Sequence, residues 1–282
     1  MTVSTAGAAL STAQLAARTG LPAGTLRMWE SRHGFPAPAR LPGGHRRYSE
    51  QDAEAVLEVL RLREQGLSLP AAIERAARRR QASESSVFAR LRRRRPEVGP
   101  SLLGKAAVLR ISHAIEDEYL ARAASGLVFG SFQRERFYRA SERRWRELAR
   151  TAELAVAVAD FSAVRVPPGA PSEVPLEVHQ PLAREWTLII DAPGAHACLA
   201  AWEQPSQAPA PDRERRFETI WSFEPEVVRA AGEVCAELLW ELAPDVARRL
   251  PDPQLATTLG REELRFASAL SQRIVGYLGA LV

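Results

Sequence analysis

Two hydrophobic periods divide the chain. Up to residue 77, apolar side chains recur at the three- and four-residue spacing of helices. Between residues 127 and 223 they gather in short runs bounded by turn residues, the mark of buried strands. Ser11, with Gln14 at capping-box distance, opens a short helix through Leu15 and Ala16. Thr19-Gly20-Leu21 turns the chain, Gly20 being free to take positive φ, and Pro22 suits the first turn of a second helix. There Leu26 and Trp29 fall one turn apart and face inward, leaving Thr25, Arg27 and Glu30 on the other faces, and Gly34 closes it. Ser49 with Asp52 caps a third helix carrying Val56, Leu57, Leu60 and Leu62, and Ser68 opens a fourth that runs to about Arg78.

Residues 78–101 read as a basic helical linker. Arg78-Arg79-Arg80 and Arg92-Arg93-Arg94-Arg95 flank a more neutral stretch, and Pro96 and Pro100 break any helix. Such clusters add phosphate contacts or coat a solvated linker, and the second is the plainer reading. From Leu102 a helix places Leu103, Ala107, Ile111 and Ala114 on one stripe, with Leu109 and Ile115 beside it. Strands are expected at 127–132, 155–161, 186–191, 197–202 and 217–223, with a proline-rich loop at 167–175. An amphipathic helix over 134–150 carries Phe137, Trp145 and Leu148 on one face; its seven arginines are interleaved with three glutamates, which favours a solvated face. Helices through Val228 to Leu239 and over 262–280 close the chain. The expected fold is α+β: a mostly α head with a short β-wing over 10–77, then a sensor-like α+β sandwich over 102–282.

Charge sharpens this division. Residues 1–98 hold 17 Lys+Arg against 9 Asp+Glu, a net of +8, and the remainder 21 against 25, a net of −4. A basic front and an acidic back suit a nucleic-acid module attached to something else. The first residues lack a basic n-region and a long apolar run, which argues against a secretory signal, and no run approaches the ~18 apolar residues of a membrane span. A cytoplasmic location follows as the expectation. Cys198 and Cys235 are isolated and read as buried free thiols.

Helix, tight turn and second helix make helix-turn-helix grammar, in which the second helix enters the major groove. The next segment, Arg40-Leu41-Pro42-Gly43-Gly44-His45-Arg46-Arg47-Tyr48, is a hairpin whose tip cannot bury anything, and it reads either as a basic wing or as a solvated loop. Behind a helix-turn-helix, the wing is the stronger reading. LAARTG, TLRMWE and GGHRRYSEQD, followed by RLREQGLSLPAAI, resemble the DNA-binding domain of the MerR family of bacterial regulators over residues 10–77. Met28-Trp29-Glu30 followed by Arg32-His33-Gly34-Phe35-Pro36 resembles the subgroup of light-responsive and curli-type regulators; no cobalamin site is visible downstream. The resemblance implies double-stranded promoter DNA as ligand, a homodimer formed through the linker helix or the second domain, and RNA polymerase as a further partner. Thr25 and Arg27 would act in or beside the major groove and Arg18 on phosphate. Arg40, His45, Arg46 and Arg47 would act on the wing, with Thr12, Trp29 and Tyr48 completing the interface.

SHAIEDEYLARA, GSFQRERFY, RRWRELARTAELAVAVADF and RFETIWSFEPEVV resemble the DICT sensory domain over residues 102 to 245. That implies signal input, with no cofactor evident and a small-molecule effector left unidentified. Phe132, Trp145, Asp160, Trp186, Trp202 and Trp221 supply candidate pocket material, although large aromatics are more often simply core. Asp160, His179, Asp191, His196 and Cys198 can be imagined as an enzyme site. The lone His-x-Cys pair lacks zinc spacing, however, and no nucleophile elbow, P-loop or dinucleotide motif occurs. No catalytic residue and no metal ligand is assigned. The reading is a one-component regulator, the alternative being a DNA-binding or architectural protein whose second domain serves only dimerisation or protein contacts.

Overall fold

The structure, a computed structural model, describes residues 8–41, 43–84, 86–177, 180–203, 211–251 and 260–280. The chain divides into two compact units, Met1–Ala82 and Ser83–Val282. The first runs β1 (Ala8–Leu10), α1 (Thr12–Thr19), α2 (Ala23–His33), β2 (Ala39–Arg40), β3 (Arg46–Ser49), α3 (Glu50–Glu64) and α4 (Leu69–Glu84). Ser11 and Gln14 form the expected capping box on α1, with the Ser11 N–H donating to Gln14 Oε1 at 2.8 Å. Gly20 ends that helix at φ 72°, a left-handed conformation that costs other residues about 1–2 kcal/mol. Ser49 and Asp52 repeat the box on α3.

Leu15, Leu26, Trp29, Tyr48, Val56, Val59, Leu62 and Ala72 share one core. Leu57, expected among them, is 43% exposed; the buried stripe of α3 runs through Ala53, Val56 and Val59, and Leu57 lies about 100° around the helix from Val56. An unexpected strand, β1, pairs antiparallel with β3, so the wing hairpin forms part of a sheet in the order β1-β3-β2. Helix α4 continues past Arg78 to Glu84.

The second unit runs α5 (Val87–Arg94), β4 (Ser101–Gly104), α6 (Lys105–Arg122), β5 (Leu127–Ser131), α7 (Glu135–Thr151), β6 (Leu154–Ala159), β7 (Ser172–Pro175), β8 (Glu185–Ala192), β9 (Ala195–Glu203), β10 (Arg216–Ser222), α8 (Pro225–Leu242), α9 (Pro244–Ala247) and α10 (Arg261–Gly279). These strands form one mixed sheet in the order β4-β10-β9-β8-β5-β6-β7, with β5, β6 and β7 parallel. Its central strands β5, β6 and β9 are apolar on both faces, so both faces need cover. Phe129, Val156, Ile189 and Cys198 meet α5, α8 and α9 on one side; Val128, Ala157, Leu188 and Leu199 meet α6, α7 and α10 on the other. On the second side the small residues of the sheet leave room for Tyr119, Tyr138, Trp145 and Phe266. Gly130 is part of this fit, since a Cβ there would overlap the Trp145 ring.

The chain is α+β, as the hydrophobic patterns indicate, but several elements differ in detail. Leu103 lies in β4 rather than in the following helix, whose buried stripe is Val108, Ile111, Ala114, Ile115 and Tyr119. In α7 the core position falls to Tyr138, and Phe137 is only half-buried. The expected loop at 167–175 contains β7, an edge strand, where a terminal proline such as Pro175 is tolerated.

The largest correction concerns the junction. Residues 86–101, expected as solvated linker, belong to the second unit. Val87, Phe88 and Leu91 are buried against the sheet. Ser86 caps α5, its Oγ accepting from Ala89 N at 2.9 Å. Glu185, wholly buried at the head of β8, accepts from Val87 N (3.0 Å), Phe88 N (3.2 Å) and the Ser86 hydroxyl. The arginine run is engaged by an acidic row on α8: Arg90 meets Glu237 at 2.9 Å, Arg94 meets Glu237 at 2.6 Å, and Arg95 meets Glu226 at 3.1 Å. Four consecutive arginines concealed the apolar face that packs this helix down.

Burial pushes the Glu185 carboxyl up to about 7 from an ordinary 4.5, against the pull of Ser86 and the α5 amides. A folded pKa above the unfolded one means that the native state holds the proton more tightly. This contribution to stability is therefore fully present below about pH 4.5 and lost as pH rises through about 7. Glu116, also buried and pushed up to about 8 by desolvation, acts in the same direction. We expect urea denaturation of the second domain to give a stability at pH 5.5 greater than at pH 8 by roughly 1–3 kcal/mol. Glu185→Gln should reduce that slope and leave the part due to Glu116, and an unchanged slope would assign it elsewhere.

Candidate nucleic-acid interface and ligand cavity

In the first unit, α2 presents Gly24, Arg27 and Met28 to solvent with Thr25 half-buried, while Leu26 and Trp29 hold its other side in the core. Trp29 and Tyr48, counted above among interface residues, are 2% and 0% exposed. They are core side chains rather than surface ones. The reason is register: Trp29 lies one turn from buried Leu26, and Tyr48 is the inward residue of β3. Thr12 begins α1, half-buried beside the Tyr48 phenol. Burial raises the phenol's pKa and Thr12 draws it back.

The wing is held by a residue that the sequence reading left without a role. Glu30, in the last turn of α2, accepts from Arg46 Nε at 2.6 Å and from Arg40 Nη2 at 3.0 Å, gripping both strands of the hairpin. This contact keeps the Arg46 guanidinium more firmly protonated. Arg40 and Arg46 are thus partly committed to holding the wing against α2. His45 is exposed at the tip and Arg47 half-exposed on β3; Arg18 is exposed and 3.4 Å from Glu50. Exposed pairs of that kind add about 0–1 kcal/mol, so Arg18 remains available. Of the cations named for this surface, Arg18, Arg27, His45 and Arg47 are less committed to other side chains than Arg40 and Arg46.

In the second unit the six candidate pocket residues are scattered. Only Phe132 and Trp186 share a cavity, of about 170 Å3, with Leu109, Phe137, Lys105, Ser131, Gln133 and Arg215. Trp145 is buried beneath Gly130, with Phe132 edge-on at 5.1 Å between ring centres. Trp202 stacks on Phe88 on the opposite side of the sheet, 6.4 Å between ring centres. Trp221 is 37% exposed beside Phe223. Asp160 accepts from the Glu135 N–H in the first turn of α7 and pairs with Arg134 at 3.3 Å, a capping role. Alternation explains the scatter, because aromatic residues on neighbouring strands point to opposite faces according to parity.

The cavity's polar wall was missed because nothing local links its members. The start of α6 meets the residue just before β10, where the Lys105 N–H donates to Arg215 O at 2.9 Å. Asp212, in a short 3-10 turn at Asp212–Glu214, pairs with Lys105 and with Arg215 Nη1 at 3.1 Å. Arg215 also reaches Glu203 Oε2 at 2.7 Å and Gln133. A second cavity, of about 260 Å3, lies against α8 and includes Asp191, Arg229, Gly232 and Trp240.

Of the imagined enzyme residues, His196 Nδ1 and Asp191 Oδ1 lie 2.9 Å apart, with the imidazole buried. Cys198 is buried with its thiol pushed up to about 12 by desolvation, which leaves it without thiolate character. Asp160 is the helix cap described above, and His179 lies outside the described residues. Among the described residues no three His, Cys, Asp or Glu are grouped to hold a metal ion, and no helix is long and apolar enough to cross a membrane.

Comparison with known proteins agrees with this division. Residues 10–78 match the MerR HTH family regulatory protein model, and residues 85–204 match DICT, described as a sensory domain in diguanylate cyclases and two-component systems. The HTH-type transcriptional repressor CarA of Myxococcus xanthus is 49% identical over 61 residues, 21% of this chain and 21% of that protein. The match thus spans about a fifth of that relative's length. The second match begins at residue 85, where Ser86 and α5 join the sheet, rather than at Leu102. The chain therefore belongs, through residues 10–78, to the MerR family of helix-turn-helix regulatory proteins and carries a DICT sensory domain in residues 85–204.

Proposed function

We propose that the protein is a one-component transcriptional regulator that binds promoter DNA as a homodimer and adjusts that binding to a small effector held by its second domain. The observation that carries this reading is the pairing of an exposed α2 face and a wing clamped by Glu30 with a separate sensory domain. Thr25 and Arg27 read base edges, Arg18 contacts phosphate, and His45 and Arg47 follow the backbone from the wing. Arg40 and Arg46 contribute from their clamped positions, and Thr12 lies at the edge of this surface. Two-fold symmetry doubles a small footprint and sets half-site spacing. Regulation requires an effector to favour one conformation, and a coupling of about 1–3 kcal/mol changes DNA affinity about 5- to 150-fold. The alternative, a second domain that only pairs two copies, is favoured by Leu264 and Val275, exposed at 57% and 71% along α10. Action through RNA polymerase and a cytoplasmic location accompany the first reading.

Arg27→Ala should leave the melting temperature unchanged and weaken operator binding by about 1–3 kcal/mol with relaxed sequence preference. His45→Ala and Arg47→Ala should weaken all sequences alike and reduce the salt slope. Trp29→Ala should instead destabilise the domain by about 3–5 kcal/mol. Calorimetry and fluorescence anisotropy separate the two classes, and an Arg27→Ala protein with full operator affinity would remove the groove assignment. For the dimer, sedimentation on operator DNA should give two copies and footprinting two half-sites. A single copy protecting one half-site contradicts it.

A further inference from the structure

Resting on the sensory reading above, we propose that the cavity between α6, α7 and the sheet binds a small single-ring aromatic carboxylate, and that Asp212 occupies the carboxylate's place when the ligand is absent.

Size limits the ligand first. The cavity holds about 170 Å3, close to the ~150 Å3 apolar cavity that accommodates benzene. One ring with a short substituent fits; a nucleotide or a fused polycycle does not. The walls then choose an aromatic body: Phe132, Phe137, Trp186 and Leu109 supply ring faces, ring edges and an alkyl surface.

One side of this apolar space carries two cations. Lys105 opens α6 and lies 5.4 Å from the centre of the Phe137 ring, and Arg215 lies 5.2 Å from the centre of Phe217. Both are largely withdrawn from solvent, at 21% and 15% side-chain exposure, and both are paired with Asp212. Asp212 itself is 60% exposed, on a 3-10 turn beside the two cations that line the cavity. A carboxylate arriving from the cavity can replace it without leaving either cation unpaired, and the displaced aspartate returns to water. Arg215 keeps Glu203 throughout, so the site is never stripped of counter-charge. The same corner holds the N-terminus of α6, whose N-cap, Gly104, offers no side chain to its first turn. That terminus adds favourable potential for an anion. An aromatic amine would meet Lys105 and Arg215 unfavourably, and a neutral ring would leave Asp212 where it is.

The test uses the full-length protein and named probes: benzoate, phenylacetate, benzamide and acetate, titrated by calorimetry and by quenching of tryptophan fluorescence. Benzoate or phenylacetate should bind, with benzamide and acetate at least tenfold weaker. Lys105→Met should weaken the aromatic acid about tenfold while leaving benzamide unchanged. Asp212→Asn, which removes the resident competitor, should tighten the acid several-fold, a gain that misfolding cannot produce. Leu109→Trp, which fills the cavity, should abolish binding. Equal affinity for benzoate and benzamide, no binding of either acid, or weaker binding by Asp212→Asn would overturn the proposal. Operator affinity is measured separately with and without the acid. If the acid binds and operator affinity stays constant, the site stands and the regulatory reading fails; an operator response to another molecule in a protein that ignores these acids does the reverse.

Discussion

A buried carboxylate at the head of β8 decides how the second domain is assembled. Glu185 gives up hydration to answer the Ser86 hydroxyl and the first amides of α5, groups that a short helix cannot satisfy from within. With its N-terminus fixed there, α5 lays Val87, Phe88 and Leu91 on the sheet and presents its arginines to the acidic row of α8. The domain therefore begins before the proline-rich stretch that looks like a boundary. Arg94 and Arg95, members of a run that suggests phosphate contact, are engaged instead by acidic residues of the second domain.

The head uses the same device in milder form. Glu30 is half-buried and joins both wing strands to α2 through Arg40 and Arg46. A two-stranded hairpin is marginal alone in water; here it gains a third strand, β1, and a charged clamp. The consequence for recognition is orientation. A wing that swung freely would lose entropy on meeting a phosphate backbone, whereas a clamped wing has already been ordered on folding. Part of the positive charge written into the hairpin thus sets geometry, and the rest is left for contact.

How much could be read in advance follows from range. Capping boxes at Ser11 and Ser49, the left-handed Gly20 and the inward pair Leu26 and Trp29 are local, and each acts as its spacing indicates. The strands at Leu127–Ser131 and Glu185–Ala192 were legible because both faces are apolar. What was not legible depends on pairing across the chain. β1 is a strand only because β3 lies beside it, and β7 only because β6 offers a free edge. The aromatic pocket failed as a group for the same reason. Parity on each strand sends Trp202 to one face and leaves Trp186 at the edge of the other, and no composition rule carries that information.

The cavity's polar side is the clearest case of range deciding chemistry. Lys105, Gln133, Glu203, Asp212 and Arg215 are distant along the chain or unremarkable where adjacent, yet strand pairing gathers them into one charged corner. That corner is nearly balanced in charge, which permits exchange. An unpaired cation beside an apolar cavity would bear a large desolvation cost in the empty protein, and a cation locked to a buried acid would have nothing to offer a ligand. Asp212 lies between these limits, since it is close enough to neutralise Lys105 and Arg215 and exposed enough to be released. A ligand entering by such an exchange gains both from the apolar walls that take its ring and from the cations it takes over from Asp212. Such binding shifts a conformational equilibrium only where the exchange is more favourable in one conformation than in the other; tight binding by itself does not.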